Sequence, residues 1–215
     1  MRTGPHPLLA ILDAAADGRF PAADGGVIYS PAFDDEREAV IGFTGHAVIA
    51  SRLGSDRFAD LQPDGFGAAY SPALLLRLAE GGTVGDIDVM LVGRGTGIGS
   101  AIDRTDRWDD HNRARFARQL RRDVDVYGDE RGFFTIGTGL AGRRELSIEI
   151  VDTLHGSGVG RTMITESLAA LPAGELLYAG IAPGNARSLR SFLASGFVPI
   201  GSEVVITPFT PNTYR

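Results

Sequence analysis

The sequence predicts a mixed α/β protein of the α+β kind. A mostly antiparallel sheet flanked by helices is expected in residues 104–215, preceded by a smaller α/β lobe in residues 1–103. Three observations predict this. Short apolar runs of strand length, bounded by Gly, Pro and Asp, recur along the whole chain. Three of them, "DVDVYGD", "GFFTIGTGLAGR" and "RELSIEIVD", follow one another through glycine-containing turns, as an antiparallel meander would. After them helix and strand patterns alternate through "VGRTMITESLAAL", "ELLYAGIA", "NARSLRSFLAS" and "FVPIGSEVVIT".

The earlier elements follow from local signals. "MRTGPHPLLAILDAAADGRF" reads as a short helix, because Asp13 and Asp17 interrupt an apolar stretch already too short for a signal peptide. "GGVIYS" and "EAVIGFTGHAVIAS" read as strands, with Gly42 and Gly45 marking a turn or bulge. "SDRFADLQ" is expected as a short helix capped by Ser55. "SPALLLRLAEGG" is a clearer helix, with Ser71 as N-cap, Pro72 at the first position and Gly81 as the stop. "VGDIDVMLVG" reads as a buried strand. "DRWDDHNRARFARQLRRDV" reads as a helix with Trp108, Phe116 and Leu120 on one face.

Composition narrows the function classes. Apolar residues make up 43% and charged residues 22% of 215, an ordinary globular balance. With no cysteine, thiolate nucleophiles, disulfides and cysteine-ligated metals are excluded, and a cytoplasmic location is expected. No apolar run reaches about 18 residues, so no membrane partner is expected. The net charge of −6 argues against nucleic acid as a partner.

Two loops share one grammar: "RGTGIG" at 94–99 and "HGSGVG" at 155–160. A phosphate cradle needs loop amides that open directly into a helix, whose first N–H groups and positive dipole end face the anion. After the first loop, "SAIDRTDRW" has no helical apolar period and brings Asp103 and Asp106 close by, two carboxylates that oppose a diphosphate. That loop is expected to be a flexible connector. The second loop stands between the strand "LSIEIV" and the helix "GRTMITESLAAL". Gly158 and Gly160 let backbone approach a ligand, and Arg161 adds a guanidinium fork.

"IEIVDTLHGSGVGRTMITESL" resembles the coenzyme A-binding motif of the GNAT (Gcn5-related N-acetyltransferase) superfamily, Q/R-x-x-G-x-G/A after the fourth strand. "IAPGNARSLRSFLASGF" is similar to that family's next signature, an Asn opening a helix that ends in Gly-Phe. The resemblance spans roughly residues 104–207. It implies acetyl-CoA as co-substrate, no metal, and transfer of an acetyl group to a primary amine by direct attack. Pantetheine would pair with backbone around Ile150, Val151 and Asp152. The diphosphate would rest on the loop of His155, Gly156, Ser157, Gly158, Val159, Gly160 and Arg161. Asn185, Ser188 and Phe192 would complete the cofactor side, with Arg187 and Arg190 either reaching phosphate or forming a solvated face.

The amine must lose a proton and the thiolate must be accommodated. Glu145, Ser147 and Glu149 share one strand face by alternation, so Glu145 and Glu149 are candidate bases. The family often has Tyr where Phe192 stands. Ser191, Tyr178, Tyr127 or water would then protonate the thiolate, or the thiolate would leave unassisted. His155 replaces the usual Gln or Arg. Phe192 also motivates an alternative, a catalytically silent coenzyme A-binding or interaction protein. A dinucleotide-dependent oxidoreductase fits poorly, because the preceding strands form a meander and no acidic ribose ligand follows at the required distance.

The acceptor is left open among a small-molecule amine, an aminoglycoside, a peptide N-terminus and a protein lysine; a homodimer is a further expectation. For the first lobe three roles are open as expectations: a degenerate second copy of the same fold, a substrate-binding lobe or a dimerisation surface. "FDDERE" and "DGFGAAYSP", with Phe66 and Tyr70, offer a lip for a cationic amine or solvated loops. His46 is expected to be a core histidine.

Overall fold

The computed structural model describes residues 5–34 and 36–210. The first elements in chain order are α1 (Pro7–Ala16), β1 (Val27–Pro31), β2 (Glu38–Phe43), β3 (His46–Ser51), α2 (Pro72–Ala79), β4 (Thr83–Val84) and β5 (Asp88–Arg94). Then come α3 (Asn112–Leu120), β6 (Arg122–Asp129), β7 (Gly132–Thr138), β8 (Arg144–Ile150) and α4 (Val159–Ala169). The chain continues through β9 (Leu176–Ile181), α5 (Ala186–Ala194) and β10 (Val198–Thr207). The fold is mixed α/β, with mostly antiparallel strands flanked by helices. The described residues form two compact units, those up to 89 together with those from 200 onward, and residues 90–199. The sequence alone predicts a division at 103/104. In the structure the final strand joins the first unit because β10 pairs antiparallel with β2, while β5 lies beside β9.

In the first unit β3 lies between β1, parallel to it, and β2, antiparallel to it. Its core gathers Val40, Ile49, Phe58, Leu74, Leu78 and Val204. Ser71 caps α2 as expected, accepting the Leu74 N–H. The segment Ser55–Leu61 is a 3₁₀ helix rather than one capped by Ser55; Gly54 precedes it without a side-chain cap. Gly45 makes the β2–β3 turn with φ +66°, whereas Gly42 stays in the strand beside the Tyr70 ring.

Neither lip stretch is free for a ligand as a whole. Phe66 is 73% exposed, but Tyr70 is mostly buried and its hydroxyl donates to the Ser202 carbonyl at 2.9 Å. Burial pushes that phenol's pKa up to about 12. In "FDDERE" Asp35 lies outside the described residues, Asp34 pairs with Arg37, and Glu38 is buried, accepting from Ser51 and Arg52. His46 is a buried core residue whose Nδ1 lies 2.9 Å from Asp24 Oδ1.

In the second unit β6, β7 and β8 form the expected antiparallel meander, and β9 joins β8 in parallel. The helix expected over 106–124 is shorter. It starts after His111, whose Nδ1 accepts the Arg113 N–H and ends the preceding turn there. Its buried side is Ala114 and Ala117, while Phe116 is 56% exposed. Trp108 precedes the helix and stacks on Phe133 with ring centroids 5.3 Å apart. The helix α4 packs on β7 and β8.

Candidate functional site

The strand β8 stops at Ile150 because the chain then enters a 3₁₀ turn, Asp152–Leu154. Two left-handed glycines follow, Gly156 (φ +85°) and Gly158 (φ +92°), and Gly158 is the N-cap of α4. An L side chain is disfavoured at both. Within this turn Leu154, His155 and Ser157 spend their amides on Val151, Asp152 and Leu154 carbonyls, and Arg161 donates to Gly158 O at 3.0 Å. The amides of Gly156, Gly158, Val159 and Gly160 have no protein acceptor. They converge at a helix N-terminus, where the dipole adds positive potential. The space in front of them is open: a Cβ built on Gly156 or Gly158 meets nothing within 4 Å, and one on Gly160 meets only Ile150 at 4.0 Å.

A cavity of about 430 Å³ lies against these amides. One wall is the end of β8. The register Phe133↔Glu149 and the Val151 N–H to Arg131 carbonyl bond direct the N–H and C=O groups of Ile148 and Ile150 away from β7. On that side β9 is in register with β8 only at Glu145↔Tyr178 among the described residues. The two parallel strands therefore splay, leaving an edge on which an extended ligand can pair. The opposite wall is the start of α5. There Asn185 caps the helix by accepting the Ser188 N–H at 3.1 Å, and both residues line the cavity. A further cavity shares Gly156, Arg161, Arg187 and Ser191 with this one and adds Arg190, so three guanidinium groups stand at its end.

The structure brings Glu149, Ile150, His155, Gly156, Gly158, Gly160, Arg161, Asn185, Ser188 and Ser191 together around this cavity. Others fall elsewhere. Val151 and Asp152 line a neighbouring cavity, and Ser157 turns its hydroxyl onto the Leu154 carbonyl at 2.6 Å. Val159 contributes its amide rather than its side chain. Phe192 is 3% exposed and packs edge-on against Phe197, with ring centroids 4.9 Å apart, so it does not reach the cavity. Tyr178 is buried beneath the Arg143 guanidinium, and Tyr127 stacks on Phe134 while accepting from Arg104. His155 donates from Nε2 to the Ile150 carbonyl at 3.1 Å, closing off the strand end instead of reaching for a ligand.

The polar face of β8 receives the Arg113 side chain of α3 and that of its C-cap, Arg121. Glu145 is buried between Arg121 (2.6 Å) and Arg143 (2.8 Å) and also accepts the Leu140 N–H. Burial alone would raise its pKa. The two guanidinium groups outweigh that and hold it at about 2. A carboxylate so placed is structural and cannot serve as a base near neutral pH. Ser147 accepts from Arg121 and shares a hydrogen bond with Thr135. Glu149 pairs with Arg113 at the cavity mouth.

Arg113, Ile148, Leu154 and Arg187 also line the cavity; Arg113, Ile148 and Leu154 were not foreseen. Arg113 carried a readable signal. Arg113 to Arg121 spans about 12 Å of helix, and Glu149 to Glu145 about 13 Å of strand, so the two pairs can match end to end. Among the described residues no cluster of three or more His, Asp or Glu is placed to hold a metal ion, and no helix is long and apolar enough to cross a membrane.

Fold and site together define a mixed α/β protein with an open amide cradle between a splayed strand and a helix. No protein-family model and no curated protein matches the sequence. Among solved structures the chain is similar to a GNAT-family acetyltransferase from Colwellia psychrerythraea, at 10% identity and TM-score 0.39, covering 62% of this chain and 60% of that one. It is similar to a putative GNAT-family acetyltransferase from Novosphingobium aromaticivorans, at 14% identity and TM-score 0.43, over 59% and 66%. A third is a GCN5-related N-acetyltransferase from Kribbella flavida, at 14% identity and TM-score 0.42, over 66% of each chain. The matches thus span less than two thirds of the length of those proteins.

Proposed function

We propose that this protein is an acyl-CoA-dependent N-acyltransferase of the cytoplasm, moving an acetyl group from acetyl-CoA to a primary amine. The observation that carries this reading is the set of unclaimed amides at Gly156, Gly158, Val159 and Gly160, beside the unpaired edge of β8. The donor set fits a diphosphate: four N–H groups, a helix dipole, and Arg161, Arg187 and Arg190 alongside. The Ile148 backbone and the Ile150 N–H would align an extended amide-bearing arm toward Glu149, the Ile150 carbonyl being held by His155. The thioester supplies an acyl group open to direct attack by an uncharged amine. Glu149 takes the ammonium proton, directly or through water, with Arg113 fixing its carboxylate. Ser191 is the hydroxyl best placed to meet the departing thiolate, although its proton is now donated to the Arg187 carbonyl.

Calorimetric titration with coenzyme A tests this. Saturable binding that a Gly158→Trp substitution removes is expected; absence of binding to the unsubstituted protein overturns the reading. A second reading, a coenzyme A-binding protein without turnover, is favoured by the burial of both Phe192 and Tyr178 away from the cavity. Thiol release from acetyl-CoA over a broad amine panel separates the two.

A further inference from the structure

A separate cavity of about 290 Å³ opens at the same end of β8, lined by Trp108, His111, Phe133, Glu149, Ile150 and Asp152 among others. It shares only Glu149 and Ile150 with the cavity at the glycine turn. Its remaining walls come from β7, from the residues leading into α3 and from Val151 and Asp152 just after β8, whereas the first cavity is walled by α4 and α5. The two spaces therefore meet at the tip of one strand.

The chemistry of this second space is specific. Trp108 is stacked on Phe133, and its Nε1 donates to the Asp129 carbonyl at 3.1 Å, which fixes the indole plane. The His111 ring stands edge-on to Phe133, with centroids 5.1 Å apart. Its Nδ1 accepts the Arg113 N–H at 3.2 Å, so the neutral ring keeps its proton on Nε2. Asp152 has no partner for its carboxylate within the protein. Glu149 shares its own with Arg113. The polar side of the space is therefore net negative and the other side is aromatic. Arg107 already lies over the Trp108 ring at 5.5 Å, which assigns an incoming cation to the carboxylates rather than to the indole.

We propose that this cavity is the acceptor site, and that the acceptor is a compact primary ammonium carried on a small apolar body. The ammonium sits between Asp152 and Glu149, and the body rests against the apolar wall that Trp108, His111 and Phe133 form together. This rests on the N-acyltransferase reading for its role, because only then does an amine at Glu149 face the acyl donor along the β8 tip. The volume is at the low end for ligand cavities and admits one small molecule or a single side chain, not an oligosaccharide.

Trp108 is the only tryptophan of the chain, so its fluorescence reports on this space alone. Titration with phenethylamine is expected to give a saturable change. The isosteric anion 3-phenylpropionate is expected to bind at least about tenfold more weakly. Asp152→Asn, at an exposed residue whose carboxylate has no protein partner, should weaken phenethylamine by about fivefold. No saturable signal, equal binding of the anion, or unchanged affinity in Asp152→Asn overturns the assignment. Calorimetry with coenzyme A on the same protein separates the two ideas. Coenzyme A bound without amine binding sinks the acceptor site alone. Amine bound without coenzyme A sinks the acyl-transfer reading and the acceptor role with it.

Discussion

The loops at 94–99 and 155–160 share one glycine pattern, x-G-x-G-x-G, and do opposite things. In the first, Gly95, Thr96, Gly97 and Gly99 donate their N–H groups to the carbonyls of Glu175, Leu168, Leu171 and Ala169. These amides pin the connection between α4 and β9, so the loop is a docked strap rather than the flexible connector expected from its sequence. In the second, the glycine amides face a cavity and meet no protein acceptor. Both loops obey the rule that buried backbone donors must be satisfied. One satisfies it internally, and the other leaves it to solvent or a ligand. Glycine spacing alone does not say which, but the helix that follows does, because a helix start cannot use its own first amides.

The same contrast divides two glutamates of one strand face, and breaking it there has the largest expected effect. Glu145→Gln leaves Arg121 and Arg143 buried without their carboxylate and should cost about 3–5 kcal/mol in denaturant unfolding. Because the folded pKa of Glu145 lies below its unfolded value, its contribution is complete above about 4.5 and is lost as pH falls toward about 2. The variant's stability should therefore be flatter across that window. Glu149→Gln, with its partner Arg113 exposed, should change stability by less than about 1 kcal/mol yet lower kcat by about 10²–10⁴. Equal destabilisation by the two substitutions would erase the distinction.

A methyl group on the first loop sharpens the comparison next. At Gly95 a Cβ would be driven into the Pro172 carbonyl oxygen and close to Leu171. Gly95→Ala should destabilise by about 1–3 kcal/mol, while coenzyme A affinity of the folded protein stays unchanged. A selective loss of coenzyme A binding without loss of stability would mean that this loop, not the other, holds the ligand.

Much of the architecture was legible because it rests on period and punctuation. The meander showed in three runs separated by glycine turns, and α2 and α5 in Ser71 and Asn185 at their caps. What was hidden depends on partners far away in sequence. The β8 face bearing Glu145, Ser147 and Glu149 reads as a row of catalytic candidates until Arg121 and Arg113 arrive from α3. Phe116 carries the apolar signal of its helix and lies outward, because the space under α3 is filled by Trp108 and leaves room only for Ala114 and Ala117. The final strand reads as part of the second half, yet its hydrogen bonds run to β2. Alternation identifies a strand without naming its neighbour.

The smallest effect is the most discriminating. At Gly160, the second residue of α4, an added Cβ touches only Ile150 at an ordinary 4.0 Å, so nothing within the protein requires glycine there. Replacing glycine by alanine inside a helix normally stabilises by about 0.5–1 kcal/mol, since less backbone freedom is lost on folding. Gly160→Ala should therefore raise the unfolding midpoint slightly. The same methyl group projects toward the space where a diphosphate would approach the Gly160 amide, and coenzyme A affinity should fall by about tenfold. Stability and binding moving in opposite directions is what a glycine kept for a ligand requires. If both rise, or if affinity is untouched, the open turn is a structural feature of the α4 start, and the contrast between the two loops loses its functional meaning.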